Sequence, residues 1–277
     1  MTLTLAQHQA QRPVDWMTRS LLRESVAFVA GGGSGIGEAT ARVLAASGAA
    51  IVVADRRTEM AERVAREIEA DGGQALAVTM DVCVQSEIDA ALAQTIARFG
   101  ALDILINCAG VIKPAALETL SLDEWRSCFL VNVDGALLLA RSALPHLRRS
   151  SKAAIVNVSS LAGGRGYPNG GAYGPSKAAL ISLTRQMALE WAPDGVRVNV
   201  VNPGTIDTPL SRANMTPQSI AAREASIPLG RLAHPGEVAD LIAFLASPAA
   251  SFITAQDFNC DGGLSQNLMA QKFYANA

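Results

Sequence analysis

The stretch SVAFVAGGGSGIGEATARVLAASG, Ser25 to Gly48, decides the fold. Its first six residues, Ser25–Ala30, are an apolar run of the kind that lies as a buried strand in a parallel sheet. GGGSGIG follows at once, from Gly31 to Gly37, and EATARVLAASG then spaces its apolar residues as a helix does, up to Gly48. Strand, glycine-rich turn and helix in that order form the context that a dinucleotide-binding loop requires. Glycines let the backbone pass close to a pyrophosphate, and the helix N-terminus offers N–H donors and the positive end of its dipole. The spacing is GxxxGxG over Gly31, Gly35 and Gly37, not GxGxxG, and Ser34 and Ile36 are further loop candidates.

Downstream, AAIVVAD ends at Asp55, eighteen residues after Gly37, where an acidic residue accepts hydrogen bonds from an adenosine ribose. A carboxylate there repels a 2′-phosphate and favours NAD over NADP. Arg56 and Arg57 follow and pull the other way, since an arginine can hold that phosphate. TEMAERVAREIEADG reads as a helix, QALAVTMDV as a strand ending in Asp81, and SEIDAALAQTIARFG as a helix. ALDILINCAG is a strand running into a turn at Asn107–Gly110, and a long amphipathic helix is expected from Ser121 to about Arg149, with Asn132 in its middle. AAIVNVSS is a further strand, Tyr173 to about Trp191 a helix, and GVRVNVVNPG a strand. This alternation predicts one α/β domain, a doubly wound Rossmann-type sheet of about seven parallel strands with helices on both faces. The expected division is an N-terminal extension over 1–24, a catalytic domain over 25–265 and a tail over 266–277.

Ser160 to Lys177 reads SLAGGRGYPNGGAYGPSK, a glycine-rich loop leading into a helix. Tyr173 and Lys177 are four apart, so they share one helix face. An ammonium beside a phenol favours its ionised form, which suits Tyr173 to acid/base work near neutral pH. Ser160, thirteen residues upstream at a strand end, is placed to hydrogen-bond the same reacting oxygen. With Gly31–Gly37, Asp55, Asp81, Asn107–Gly110 and Pro203–Thr208, these residues all fall at C-terminal strand ends or just beyond, the edge where open α/β sheets bind ligands.

Composition narrows the partners. The chain of 277 residues is 49% hydrophobic with a formal net charge of -2, and it has no basic tract that would bind nucleic acid. The four cysteines (Cys83, Cys108, Cys128, Cys260) have no paired spacing, so buried, reduced thiols in a cytoplasmic protein are expected. His8, His146 and His234 are far apart, and no metal site is expected. The N-terminal 24 residues have no continuous apolar core, so neither a signal peptide nor a membrane span is expected there.

Taken together, GGGSGIG, Asp81-Val82, NCAG, Asn132 in NVDG, Ser160, Tyr173-xxx-Lys177 and NPGTIDTP resemble the short-chain dehydrogenase/reductase family over roughly residues 25–265. The resemblance implies that Tyr173 is the catalytic acid/base and that Ser160 orients the substrate carbonyl or hydroxyl. It implies that Lys177 binds the nicotinamide ribose and lowers the Tyr173 pKa, and that Asn132 holds a water relaying protons to Lys177. It places Asp81 and Val82 beside the adenine, lines the cofactor with Asn107, Ala109, Gly110, Pro203 and Gly204, and brings Ile206 and Thr208 to the nicotinamide carboxamide. It also implies a homotetramer, or a dimer, pairing the Ser121–Arg149 and Tyr173–Trp191 helices across one interface and the QDFNCDGGLS end across another. Two positions depart from the pattern: Ala30 stands where the family usually has Thr, and Cys108 replaces the second Asn of NNAG.

The chemistry so implied is hydride transfer between NAD(H) and a secondary alcohol or ketone. A substrate lid is expected at about 210–229, with Arg165, Tyr167, Arg212 and Met215 as substrate contacts and a polyol or sugar as the favoured substrate. The rivals are an NADPH-dependent carbonyl or 3-oxoacyl reductase, with Arg56 and Arg57 on the 2′-phosphate, and a catalytically silent nucleotide-binding scaffold.

Overall fold

The computed structural model describes residues 22–213 and 215–267. The expected N-terminal extension up to Leu21 and the tail from residue 268 lie outside them. Leu22 is buried, and its N–H donates to Ser47 O at 2.8 Å, so the body of the fold begins before Ser25.

Seven strands form one parallel sheet: β1 (Val26–Ala30), β2 (Ala50–Asp55), β3 (Gln74–Thr79), β4 (Ile104–Asn107), β5 (Ala154–Val158), β6 (Arg197–Pro203) and β7 (Asp257–Cys260). Their order is β3-β2-β1-β4-β5-β6-β7, so the chain reverses direction across the sheet between β1 and β4. That switch point opens a crevice beyond the strand ends.

Both faces are covered, and the period-two alternation of each strand feeds both layers. Ala27 and Val29 of β1 pack on one face with α1 (Gly35–Ala46), α2 (Thr58–Ala70) and α9 (Pro235–Ala246). Phe28 and Ala30 pack on the other with α3 (Gln85–Phe99), α5 (Gly135–Leu147) and α6 (Tyr173–Trp191). A strand buried on both sides must be apolar at every position, which is why SVAFVA and AAIVVA read as unbroken runs.

The structure corrects two sequence expectations. The helix expected from Ser121 to about Arg149 runs from Leu122 to Leu147 and is interrupted. It comprises α4 (Leu122–Phe129), a π-helical segment over Leu130–Asp134, and α5. That run is long and apolar enough to span a membrane, but Leu139, Ala140, Ala143, Leu144 and Leu147 spend its apolarity on the core. The lid segment, given no helix from the sequence, holds two short helices, α7 (Pro209–Arg212) and α8 (Pro217–Ser226). Each starts with a Thr N-cap whose hydroxyl accepts from the N–H three residues on, and with Pro at the first helical position. The two Thr-Pro pairs were the available sequence signal.

The cysteines also differ from expectation. All four are free, but only Cys128 is buried; Cys83, Cys108 and Cys260 are partly exposed. His234 serves as the N-cap of α9, its Nδ1 accepting from Gly236 N at 3.0 Å.

Candidate active site

The glycine turn after β1 is shaped by contacts that leave no room for side chains. Gly31 has φ +71°, and a Cβ there would lie 2.8 Å from Ala109 N. A Cβ on Gly37 would lie 2.0 Å from Gly31 O, so the first turn of α1 presses directly onto the loop. Ser34, the N-cap of α1, makes no side-chain cap bond, which leaves first-turn N–H groups of α1 open to a ligand.

Asp55, at the end of β2, is buried and holds this loop from below. Its Oδ2 accepts from Gly33 N at 3.1 Å, and its Oδ1 accepts from the N–H of Arg57 at 3.0 Å. The Arg57 guanidinium pairs with the same carboxylate at 3.2 Å and donates to Ser34 Oγ at 3.0 Å. Sequence reasoning treated Arg57 only as a rival phosphate ligand; here it bridges Asp55 to the glycine loop. Asp81 lies two residues beyond β3, and its Oδ1 accepts from Cys83 N at 2.8 Å.

Across the switch point, β5 delivers Ser159 and Ser160, and α6 delivers Tyr173 and Lys177 one turn apart. Ser160 caps a 3-10 turn, its Oγ accepting from Ala162 N at 3.2 Å. Lys177 is buried, with Nζ donating to Val158 O at 2.9 Å, while Ser159 Oγ donates to Lys177 O at 2.9 Å. These two bonds fasten α6 to the end of β5. No spacing in the sequence marks Ser159, whose partner is a main-chain carbonyl.

The electrostatics differ from the expected pattern. Burial pushes the Tyr173 phenol up, against the lowering hydrogen bond from Ser160; Tyr167 and Cys128 add to the rise. Lys177 does not offset this: its Nζ lies 5.8 Å from the Tyr173 ring centre and is aimed at a carbonyl. Burial lowers the Lys177 ammonium itself to about 8. Burial also holds the Cys83 and Cys108 thiols protonated, at about 11 and about 12.

Asn132 sits in the π segment and is buried. Its Oδ1 accepts from Val111 N at 2.8 Å, and its Nδ2 donates to Val111 O at 3.0 Å and to Ser176 Oγ at 2.9 Å. The wider π turn presents this carboxamide to the chain after β4; such turns recur at functional sites. A Cβ on Gly110 would lie 3.2 Å from both Asn132 Oδ1 and Lys177 Nζ, so the main chain passes close to both side chains.

One cleft of about 1130 Å³ joins these parts. Of the expected residues it is lined by Gly31, Ser34–Gly37, Asp55, Arg56, Asp81, Val82, Ala109, Gly110, Ser160, Tyr173, Lys177, Pro203, Gly204, Ile206 and Thr208. Asn107 and Asn132 are not on its wall. Asn107 is buried beneath it, with Nδ2 donating to Asn157 Oδ1 at 3.4 Å and no partner for its Oδ1 among the described residues. Of the substrate candidates, Arg165, Tyr167 and Met215 line the cleft, whereas Arg212 pairs with Asp207 outside it. Arg223 of α8 takes the place expected for Arg212, and Ser265 and Asn267 bring the end of the described chain to the same wall.

A closely approached glycine loop, an open helix N-terminus and a buried acid at the next strand end fit a dinucleotide. The comparisons agree. A family model described as enoyl-(acyl carrier protein) reductase matches residues 30–265. The chain is 44% identical to the cis-4-hydroxycyclohexanecarboxylate dehydrogenase of Sinomonas cyclohexanicum, covering 87% of this chain and 96% of that one. It is 38% identical to a 2,5-dichloro-2,5-cyclohexadiene-1,4-diol dehydrogenase of Sphingobium indicum, covering 88% and 97%. The crystal structure of 3-ketoacyl-(acyl-carrier-protein) reductase from Brucella melitensis complexed with NADH matches with a TM-score of 0.81 at 38% identity, covering 88% and 99%. The chain belongs to the short-chain dehydrogenase/reductase family. It is an NAD(P)-dependent oxidoreductase acting on CH–OH groups.

Proposed function

We propose that the protein is an NAD(H)-dependent dehydrogenase of secondary alcohols carried on a six-membered carbocycle, in place of the polyol or sugar favoured from the sequence. The observation that carries this reading is the single cleft with Asp55 and the glycine loop at one end and Ser160, Tyr173 and Lys177 at the other. The two dehydrogenases named above support the ring, since each is named for a hydroxylated six-membered carbocycle.

When bound, the nicotinamide supplies or accepts the hydride. The protein's own residues do the rest. Ser160 Oγ holds the substrate oxygen, and the Tyr173 phenolate takes the alcohol proton in oxidation and the resulting phenol returns it in reduction. Lys177 anchors the nicotinamide ribose. Asn132, whose Oδ1 faces Gly110 together with Lys177 Nζ, holds the water that passes protons onward.

NAD is favoured because the Asp55 carboxylate is buried at the ribose end, and Arg57 is already tied to that carboxylate and to Ser34. Titration with NADH and NADPH, followed by nicotinamide fluorescence, is expected to give roughly tenfold tighter binding of NADH, equivalent to about 1.4 kcal/mol. Asp55→Ala should erase the preference and weaken both cofactors, because Gly33 N and Arg57 lose their acceptor. Tighter NADPH binding by the wild type would reverse the assignment and favour ketone or 3-oxoacyl reduction.

The same reading includes a cytoplasmic homotetramer, supported by four free cysteines and by exposed apolar residues on the expected faces. These are Leu122 and Leu189 on one face, and Phe252, fully exposed beside edge strand β7, on the other. Phe252→Glu is expected to convert tetramer to dimer in sedimentation velocity. An unchanged wild-type tetramer in this variant would remove that face from the assembly.

A further inference from the structure

We propose that Arg223, assisted by Arg165, forms an anion site at the substrate end of the cleft, so that the alcohol this enzyme oxidises carries a carboxylate. The proposal rests on the reading above and adds the substrate's charged group to it.

The charge on the cleft wall is segregated. Its carboxylates among the described residues are Asp55 and Asp81, both at the cofactor end, and none lines the half bounded by Tyr167, Met215 and Ser265. Two guanidiniums line that half. Arg165 comes from the glycine-rich loop before α6, and Arg223 from α8.

Neighbouring arginines are already neutralised. Arg212 makes two bonds to Asp207, at 2.6 and 2.7 Å, and Arg231 makes two to Glu237, at 2.7 and 2.8 Å. Arg223 and Arg165 have no carboxylate partner among the described residues. Arg223 is half-buried, where an ion pair with an incoming carboxylate is less screened than at the open surface. Its planar fork matches a carboxylate with two parallel hydrogen bonds.

The surrounding wall is braced. Arg165 donates to Ser265 O at 2.6 Å, which leaves its other N–H groups for a ligand. Asn267 donates to Ser226 O at 3.3 Å and ties the same chain segment to the end of α8. The loop of Arg165, the helix of Arg223 and the segment 265–267 are thus joined on the wall of the cleft that also carries Ser160 and Tyr173.

The test compares 4-hydroxycyclohexanecarboxylate with its methyl ester under NAD. The acid is expected to have a kcat/KM about 10- to 100-fold higher, the scale of a charge-assisted pair. Arg223→Gln should bring the acid-to-ester ratio toward one, while Arg212→Gln, outside the cleft, keeps it. A second measurement does not depend on turnover: cyclohexanecarboxylate is titrated into the protein–NADH complex, with cyclohexanecarboxamide as the neutral control. Arg223→Gln should weaken the carboxylate about tenfold or more and leave the carboxamide unaffected. Equal kcat/KM for acid and ester, or equal binding of carboxylate and carboxamide, overturns the anion site while ring-alcohol oxidation stands. Arg223-dependent carboxylate binding without oxidation of any ring alcohol overturns the functional reading while the anion site stands.

Discussion

Tyr173→Phe is expected to lower turnover by about 100-fold or more while leaving NADH affinity close to that of the wild type. The substitution removes one oxygen from a half-buried ring and keeps the rest of the wall, including the edge contact with Tyr167 at 6.3 Å between ring centres. It takes away the phenol that receives the alcohol proton directly and gives it back. The pH profile carries a second signature. Oxidation needs Tyr173 unprotonated and reduction needs it protonated, so the wild-type oxidation rate should rise with pH and the reduction rate fall. Burial lifts the phenol, which places that limb on the alkaline side in the cofactor-free protein. The Phe variant should lose the limb. Near-normal turnover in Tyr173→Phe, with its pH dependence intact, would end the mechanism.

The second large effect separates activity from stability. Lys177→Met is expected to reduce turnover by at least about 100-fold and yet leave the protein no less stable at pH 7. The lysine is buried, and its ammonium falls from 10.5 to about 8 because burial disfavours the charge. Between about 8 and 10.5 the folded protein therefore binds fewer protons at this site than the unfolded chain, and stability rises with pH across that window. Below about 8 the full penalty applies, on the order of 3 kcal/mol. Methionine removes it but leaves Val158 O without the Nζ donor, a cost of about 1–3 kcal/mol. The variant should thus match or exceed the wild-type Tm at pH 7, and lose ground to it as pH rises from 8 to 10. Calorimetry at those pH values reads the difference directly. A variant several degrees less stable at pH 7 would mean that the lysine supports the fold, and that its burial serves no catalytic end.

The strength of both effects traces to how α6 is fixed. The i, i+4 pair places Tyr173 and Lys177 on one face, but the bonds through Val158 O and Ser159 Oγ decide where that face points. Those partners are main-chain atoms or a serine among many, and no pattern in the chain marks them. The π segment is a similar case. NVDG marks Asn132, but not the π turn that carries it or the bonds its carboxamide makes to both the N–H and the C=O of Val111, twenty-one positions away in the chain.

The sequence by itself determined the parallel sheet, the glycine turn, the acid at the end of β2 and the Tyr-Lys pair. Each depends on local constraints: doubly buried strands must be apolar, a turn under a helix must lack side chains, and residues four apart on a helix share a face. Only the tertiary structure decided the charges. It paired Arg57 with Asp55, sent Arg212 out to Asp207, and left Arg223 lining the cleft without a carboxylate partner among the described residues. It also reversed the expected shift of the Tyr173 phenol. A charge acts according to its burial and its neighbours in space, and both are set by contacts between segments far apart in the chain.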